Sequence, residues 1–119
     1  MILLGNSFPL SLVRRPVCIK PATLESLRDR IKREGAVSFW GHENTRAVAS
    51  KLLGFDVAPE IPRPALTLSD DALPVFNGQV FREVWILSPD YPPGYRPPLN
   101  RETEAAEIMG WQVLHLSFP

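Results

Sequence analysis

The feature that most constrains the fold of this chain lies in its first half, at residues 36–54. There a strand-like run leads through a short turn directly into a helix-like run. Residues 36–40 have the β-branched and aromatic character of a strand, and Gly41 permits a sharp bend after them. Apolar residues then recur at helical spacing, and Gly54 stands where a helix commonly ends. The pattern predicts a strand over residues 36–40 and a helix over residues 45–53.

The turn between these two elements carries His42, beside the first turn of the predicted helix. The free N–H groups of that turn can bind an anion, because they carry partial positive charge and have no partner within the helix. Asn44 or Thr45 can cap the helix by accepting from the same groups. A phosphate bound there would have the His42 ring beside it as a proton donor. A turn histidine that bonds to neighbouring backbone is an equally acceptable interpretation of His42.

Two further segments have helical patterns. After a cap at Thr23, apolar residues at helical spacing among charged ones predict an amphipathic helix that ends at Gly35. Residues 100–109 predict a short helix capped by Asn100, with acidic residues in its first turn, where they complement the helix dipole. The first of these two helices has one apolar side that a sheet could cover.

Short apolar runs bounded by turn residues predict the other strands. They lie at residues 2–4, 17–20, 65–68, 81–87 and 111–118. We therefore predict an α/β fold with a mixed sheet of about five strands and two or three helices packed on it. With 119 residues, the chain is expected to form a single domain over residues 1–119.

Composition excludes several classes of partner. Lysine plus arginine and aspartate plus glutamate each number 13, so the formal net charge is zero and no long nucleic acid is expected as a partner. No stretch approaches the ~20 apolar residues that cross a bilayer, and the first residues lack a signal-peptide pattern, so we predict a cytoplasmic protein without a membrane partner. The one cysteine, Cys18, cannot form an internal disulfide, which is typical of a reducing compartment.

The histidines of the chain do not form a metal-binding motif. His42 and His115 are the only two, and no cysteine cluster accompanies them, so neither a metal nor another cofactor is predicted. His115 lies inside the strand predicted over residues 111–118 and is interpreted as structural.

Polar residues at two other positions are candidates for binding an anion. Asn6 and Ser7 follow the first strand, where short side chains and backbone N–H groups meet at a sheet end. Arg63 stands between two prolines, and this stiff backbone suits a guanidinium that is presented to phosphate oxygens. An ordinary turn and a solvent-facing arginine are the alternatives that the sequence leaves open.

A proline-rich loop supplies a third group of candidates. Tyr91, Tyr95 and Arg96 could stack on a base and meet a phosphate, although tyrosines that pack the loop against the core would explain the same pattern. Arg82 and Glu83 are expected to form a polar pair at the start of a strand.

Three segments of the chain carry a resemblance to a known family. They are Leu4-Gly-Asn-Ser-Phe-Pro-Leu10, Gly41-His-Glu-Asn-Thr45 with the helix that leads to Leu52-Leu-Gly54-Phe-Asp-Val57, and Arg63 before the next strand. The sequence resembles the viral ring nucleases that act as anti-CRISPR proteins against type III systems, also described as the archaeal-virus B116-like family. The resemblance implies an α/β fold and a two-fold homodimer. It also implies that the dimer cleft binds and cuts cyclic tetra-adenylate, a second messenger of antiviral defence.

The resemblance also implies roles for individual residues. His42 would be the general acid that protonates the leaving 5′ oxygen while a ribose 2′-hydroxyl attacks the adjacent phosphorus, without a metal. Arg63 would be a charge partner of the ring. The resemblance also implies phosphate and ribose contacts at Asn6, Ser7, Asn44 and Thr45. Phe8 and Gly41, which stand in the same matching segments, are further candidates for the ligand site.

One departure from the family pattern leaves the reaction open. The family has an Arg-Leu-x-Glu-Gly turn after a later strand, and the matching residues 90–94 here contain neither arginine nor glutamate. Arg82 and Arg96 are the candidates to supply the missing charge. We therefore carry three hypotheses: a metal-independent phosphodiesterase of the ring-nuclease type, a sponge that sequesters the cyclic nucleotide without cutting it, and a protein-interaction domain that uses the proline-rich loop.

Overall fold

The structure, a computed structural model, describes residues 1–119. Its helices and strands, in chain order, are β1 (Ile2–Gly5), β2 (Cys18–Ala22), α1 (Leu24–Glu34), β3 (Ala36–Ser38), α2 (Arg46–Leu53), β4 (Thr67–Leu68), β5 (Pro74–Phe76), β6 (Gln79–Val80), β7 (Glu83–Asp90) and β8 (Gly110–Ser117). Single 3₁₀ turns lie at Leu10–Leu12, Glu43–Thr45 and Ala105–Glu107. Neither α-helix has the length and apolar character needed to span a bilayer.

Five strands form one mixed sheet in the order β2-β8-β7-β1-β3. Strand β1 pairs in parallel with both β3 and β7, whereas β8 runs antiparallel to β7 and to β2. The predicted mixed sheet of about five strands is confirmed, with two helices packed on it. Because β1, β3 and β7 are parallel, they end at the same side of the sheet, which we call the carboxyl edge.

The central strands β1 and β7 are buried on both faces of the sheet, whereas the edge strand β2 is largely exposed. On one face, Leu4 and Trp85 belong to a core cluster that includes Leu27 of α1 and Leu53 of α2. On the other face, neighbouring strand residues join a second cluster formed with the smaller sheet β4-β5-β6. Central strands with two covered faces require nearly continuous apolar runs, and the sequences of β1 and β7 have this character.

Helix α1 has the limits that the sequence predicts. The Thr23 hydroxyl accepts a hydrogen bond from the backbone N–H of Ser26 at 3.1 Å, and the Ser26 hydroxyl accepts from that of Thr23 at 3.2 Å. The helix ends at Gly35, which has a φ of +73°. Reciprocal capping at one end and a glycine with positive φ at the other are strong local signals, and they fix this helix independently of its neighbours.

The helix predicted over residues 100–109 is wrong, because only Ala105–Glu107 forms a single 3₁₀ turn. The backbone N–H of Thr103 donates to the carbonyl of Asn44 at 2.7 Å, and Glu104 has extended backbone. The bond anchors residue 103 to the segment before α2, and the extended backbone of Glu104 interrupts any helix that would run through it. This tertiary hydrogen bond therefore overrides the local preference for helix.

The second sheet contains a hairpin that the sequence analysis missed. Strands β5 and β6 are antiparallel and joined by Asn77 and Gly78, whose φ values are +51° and +77°. Two consecutive residues with positive φ are typical of a tight hairpin turn, for which Asn-Gly is the favoured pair. The strand predicted over residues 65–68 is present as β4, but it belongs to this small sheet.

Candidate functional site

A cavity of about 350 Å³ lies at the carboxyl edge, where β1 and β3 end. We call it the strand-end cavity, and its lining residues are Asn6, Ser7, Pro9, Phe39, Gly41, His42, Arg63 and Leu66. Five of the predicted site residues meet here, namely Asn6, Ser7, Gly41, His42 and Arg63. They come from three separate parts of the chain, and the parallel pairing of β1 with β3 brings the first two parts together.

Asn6 organises the floor of the strand-end cavity. Its side-chain oxygen accepts the backbone N–H of Gly41 at 2.9 Å, and its carbonyl accepts the hydroxyl of Ser88 at 3.0 Å. These two bonds tie the end of β1 to the ends of β3 and β7. The side-chain NH₂ of Asn6 makes no hydrogen bond within the protein, so it is available as a donor to a ligand.

Arg63 covers the glycine at the bend after β3. Its Nη2 atom donates to the carbonyl of Phe39 at 2.6 Å. A Cβ atom at Gly41 would lie 3.2 Å from Nη1 of Arg63, so the guanidinium rests closely on the glycine backbone. The remaining N–H groups of this planar cation are free of protein partners and can meet phosphate oxygens.

The ring of His42 is held through one of its two nitrogens. Nδ1 lies 3.0 Å from the hydroxyl oxygen of Thr45, whereas Nε2 has no hydrogen-bond partner in the protein. The carbonyl of His42 accepts the indole N–H of Trp40 at 3.0 Å, which fixes the backbone beneath the ring. Because Trp40 is fully buried in the core, this brace is rigid. The half-buried ring thus lines the cavity with Nε2 unbonded.

The strand-end cavity carries only positive or neutral groups. His42 and Arg63 are its ionisable side chains, and no aspartate or glutamate lines it. In the whole chain, no group of three or more His, Cys, Asp or Glu side chains is placed to hold a metal ion. A cation and free N–H donors without opposing carboxylates favour an anionic ligand such as a phosphodiester.

The predicted anion site at the start of the helix is not the one that the structure forms. The 3₁₀ turn Glu43–Thr45 separates His42 from α2, and no residue of α2 lines the strand-end cavity. The predicted cap is also wrong, because Thr45 occupies the cap position without a side-chain hydrogen bond to the helix. Its hydroxyl faces Trp40 and His42 instead.

Three of the predicted ligand contacts close in sequence to the lining residues lie outside the strand-end cavity. Asn44 donates from its side chain to the carbonyl of Leu99 at 3.1 Å, which holds the loop after β7 in place. Thr45 is fully buried. Phe8 packs against Phe39, with ring centroids 6.5 Å apart, and belongs to the apolar face covered by the small sheet. Thr45 and Phe8 thus contact the lining residues His42 and Phe39 from behind, whereas Asn44 bonds to a loop outside the cavity.

The structure does not bring Arg82 to the strand-end cavity. Gly5 is level with Ile86 in the paired strands, so Asn6 is level with Leu87, five residues beyond Arg82. At ~3.3 Å per residue, this separation along the strand is roughly 16 Å. Arg82 instead donates to the carbonyl of Phe118 at 3.4 Å.

The proline-rich loop forms a separate cluster. Tyr91 and Tyr95 have ring centroids 6.0 Å apart, the Tyr95 hydroxyl bonds to Glu107, and Arg96 is exposed. None of the three predicted loop residues lines the strand-end cavity. The guanidinium of Arg101 holds the pKa of Glu107 at about 2, and the bond to that carboxylate raises the pKa of Tyr95.

Glu83 pairs with Arg30 rather than with its neighbour Arg82. Arg30 donates to both carboxylate oxygens, at 3.1 and 2.7 Å, and His115 lies 2.7 Å from one of them. The Arg30 bonds lower the pKa of Glu83 below 4.5, against the opposing effect of burial. His115 also stacks on Trp85 at 4.6 Å, so the structural role predicted for this histidine agrees with its position.

Sequence reasoning missed the apolar lining of the cavity and one residue that braces it. Phe39 and Leu66 supply its apolar wall, and Ser88 fixes Asn6. The sequence contains a signal that indicates a site role for Ser88. This polar residue directly follows the apolar run of a strand that ends at the carboxyl edge. No local pattern could have indicated Leu66.

Comparison with known proteins identifies the fold. No protein-family model matches the sequence, and no curated protein matches it. Among solved structures, the chain is similar to B116 of Sulfolobus turreted icosahedral virus (STIV), with a TM-score of 0.59 over 98% of this chain and 97% of that chain. The sequences are 13% identical, so the likeness shows the fold alone. It confirms the B116-like fold that the sequence resemblance implies.

Proposed function

We propose that this chain binds a cyclic oligonucleotide, cyclic tetra-adenylate or a related ring, and cleaves it without a metal. One observation carries the proposal: a single cavity joins the His42 ring, the Arg63 guanidinium and the free amide of Asn6, with no carboxylate among its lining residues. Such a set suits a phosphodiester and a proton transfer to it. The fold shared with a viral protein supports a role as a viral anti-defence protein that removes a signal of the host in its cytoplasm.

The proposed reaction uses one phosphodiester of the ring. The ribose 2′-oxygen forms a bond to the adjacent phosphorus, and the bond from phosphorus to the 5′ oxygen breaks. Protonated His42 gives the proton on Nε2 to the leaving 5′ oxygen, and the proton of the 2′-hydroxyl passes to solvent. The products are a 2′,3′-cyclic phosphate and a 5′-hydroxyl, after which His42 takes up a proton again. A positioned acid contributes a rate factor on the order of 10²–10⁴.

A two-fold homodimer is part of the proposal. A cavity of about 350 Å³ is at the small end of ligand sites, and each chain supplies one His42 to a ring that repeats its phosphates. Four apolar side chains are highly exposed in segments that leave or reach the carboxyl edge: Leu10 at 82%, Ile61 at 90%, Leu99 at 84% and Met109 at 68%. Association of two carboxyl edges would cover this apolar surface and join the two cavities.

The second candidate function is a sponge that binds the ring and does not cut it. The observation that favours it is the position of Arg82 and Arg96, neither of which lines the strand-end cavity. A site with His42 and Arg63 alone has the charge to hold a phosphodiester but fewer groups to stabilise the transition state.

The deciding experiment incubates the protein with cyclic tetra-adenylate, heat-denatures it and separates the nucleotides by chromatography. We expect linear products from the wild type and from His115→Gln, a histidine variant outside the cavity. His42→Ala should lose turnover but keep binding. Binding is measured as a rise in melting temperature on addition of the ring, because ligand at ~100 times its Kd adds about 2.7 kcal/mol to the free energy of unfolding. Arg63→Ala should weaken binding.

Other results would reject parts of the proposal. Intact ring recovered from a stoichiometric wild-type complex would favour the sponge. Products formed by His42→Ala at the wild-type rate would exclude this histidine from the chemistry. If cyclic di-, tri-, tetra- and hexanucleotides all left the melting temperature unchanged, both the phosphodiesterase and the sponge would be wrong.

A further inference from the structure

We propose that Thr45 is a positioning residue that keeps a proton on Nδ1 of His42 and so leaves Nε2 as the atom that exchanges a proton with the ligand. The inference rests on the proposed function for the use of that proton. The hydrogen bonds that support the inference, however, are present in the ligand-free protein. They can be measured whether or not the chain cuts any nucleotide.

The Thr45 hydroxyl oxygen lies at the centre of three polar contacts. It is 3.2 Å from Nε1 of Trp40, 3.2 Å from the carbonyl oxygen of His42 and 3.0 Å from Nδ1 of the same histidine. Thr45 has no exposed surface, so water cannot replace any of these partners. Each contact must therefore be satisfied inside the protein.

Counting protons assigns the direction of each bond. The indole nitrogen of Trp40 only donates, and its one proton is shared between the His42 carbonyl at 3.0 Å and the Thr45 hydroxyl at 3.2 Å. The His42 carbonyl only accepts, whereas the hydroxyl has one proton and two lone pairs. If Thr45 gives its proton to the carbonyl, it accepts from Trp40 with one lone pair and from Nδ1–H with the other. All three contacts are then hydrogen bonds. If Thr45 instead donated to Nδ1, its contact with the carbonyl would join two acceptors.

This arrangement gives the ring one orientation in both protonation states. In the imidazolium, Nδ1–H donates to Thr45 and Nε2–H is free to protonate a leaving oxygen. After that transfer the neutral ring retains Nδ1–H, and its lone pair is on Nε2. No hydrogen bond of Thr45 or Trp40 has to change during the cycle, so the site needs no reorganisation at the moment of reaction.

The test measures the tautomer of the neutral ring by ¹⁵N NMR on the ligand-free protein labelled at histidine. His115 is an internal standard, because Glu83 accepts hydrogen bonds only and so fixes the proton of that ring on Nε2. We expect the two histidines to have opposite tautomers, with Nδ1–H for His42, and His115→Gln assigns the signals. Thr45→Ser should keep the His42 tautomer, and Thr45→Val should lose it.

A kinetic readout separates positioning from folding. Thr45→Val should lower kcat on the order of 10- to 100-fold with little change in Kd, because the ring loses the bond at Nδ1 that aims Nε2–H at the leaving oxygen while the phosphate contacts remain. Thr45→Ser should restore kcat. A wild-type spectrum with Nε2–H on His42 would overturn the inference. Absence of turnover in the wild type and in every variant, with the expected tautomer present, would reject the proposed cleavage and leave the positioning of the ring by Thr45 intact.

Discussion

Replacement of Gly5 by alanine is the sharpest test of how the core supports the strand-end cavity. A Cβ atom at Gly5 would lie 2.5, 2.6 and 2.7 Å from three atoms of the Phe39 ring. These distances are far below van der Waals contact, so the ring or the strand has to move. Phe39 is only 2% exposed and packs between Phe8 and Phe76, with ring centroids 6.5 and 6.2 Å away. The ring therefore has little space to shift.

The expected loss of stability follows from the cost of overpacking. Inserting a methyl group into a packed core costs about 1–3 kcal/mol. For 119 residues, an unfolding entropy of ~2.1 cal/mol/K per residue gives about 0.25 kcal/mol/K near the melting temperature. Gly5→Ala should therefore lower the melting temperature by about 4 to 12 °C. Calorimetry and urea titration on the same samples measure the melting temperature and the free energy of unfolding.

Gly110→Ala is the matched control. A Cβ atom at Gly110 would have no atom within 4 Å, and this glycine also belongs to a strand of the main sheet. The control should unfold within about 0.5 kcal/mol of the wild type. The double variant Gly5→Ala/Phe39→Leu should recover part of the loss, because a smaller side chain makes room for the methyl group. Equal stability of Gly5→Ala and Gly110→Ala would refute the argument that Phe39 is held firmly over β1.

Two other substitutions test the helix face and its ion pair. Arg30 lowers the pKa of Glu83 below 4.5, so Glu83 binds a proton less readily in the folded state than in the unfolded chain. The stabilisation that the Glu83 carboxylate gives the folded state is therefore complete at neutral pH and is lost as pH falls below 4.5. The urea midpoint of Glu83→Gln should fall less than that of the wild type over that acid range, and parallel curves for the two proteins would contradict this expectation. Leu27→Ala should lower the free energy of unfolding by about 2–5 kcal/mol, because the Leu27 side chain lies beneath α1 with no exposed surface. Urea titration measures this loss, and a value below about 1 kcal/mol would contradict the described packing.

Local chemistry predicted the elements that carry their own signals. Thr23 and Gly35 mark the two ends of α1, and the continuous apolar run at residues 2–4 indicates a strand with both faces covered. These signals act within a few residues and need no knowledge of the rest of the fold. The same is true of the Asn77-Gly78 turn, which was overlooked although its residue types favour a hairpin.

Contacts between distant segments decide the features that the sequence did not predict. The strand expected over residues 36–40 ends at Ser38, because the Ser38 hydroxyl accepts the N–H of Trp40 at 3.1 Å and turns the chain early. Asn44 was expected at the ligand, but the loop after β7 takes its side chain. Arg82 was expected in the site, but the register of β7 carries it away from the carboxyl edge. Register and long-range hydrogen bonds have no signature in a short window of sequence.

The position of His42 links the site to the core more closely than the predicted site at the first turn of α2 would. Trp40 has no exposed surface and packs in the cluster that includes Leu4 and Leu27, yet its indole N–H bonds to the His42 carbonyl and the Thr45 hydroxyl. The same side chain thus fills the core and holds the ring. A site at the first turn of α2 could shift with the helix, whereas this one is tied to the end of a buried strand. Substitutions of Trp40 should therefore disturb stability and ring geometry together. The two effects are better separated at Thr45, whose hydroxyl bonds to the His42 ring, and at Asn6, whose side chain holds Gly41 through one hydrogen bond.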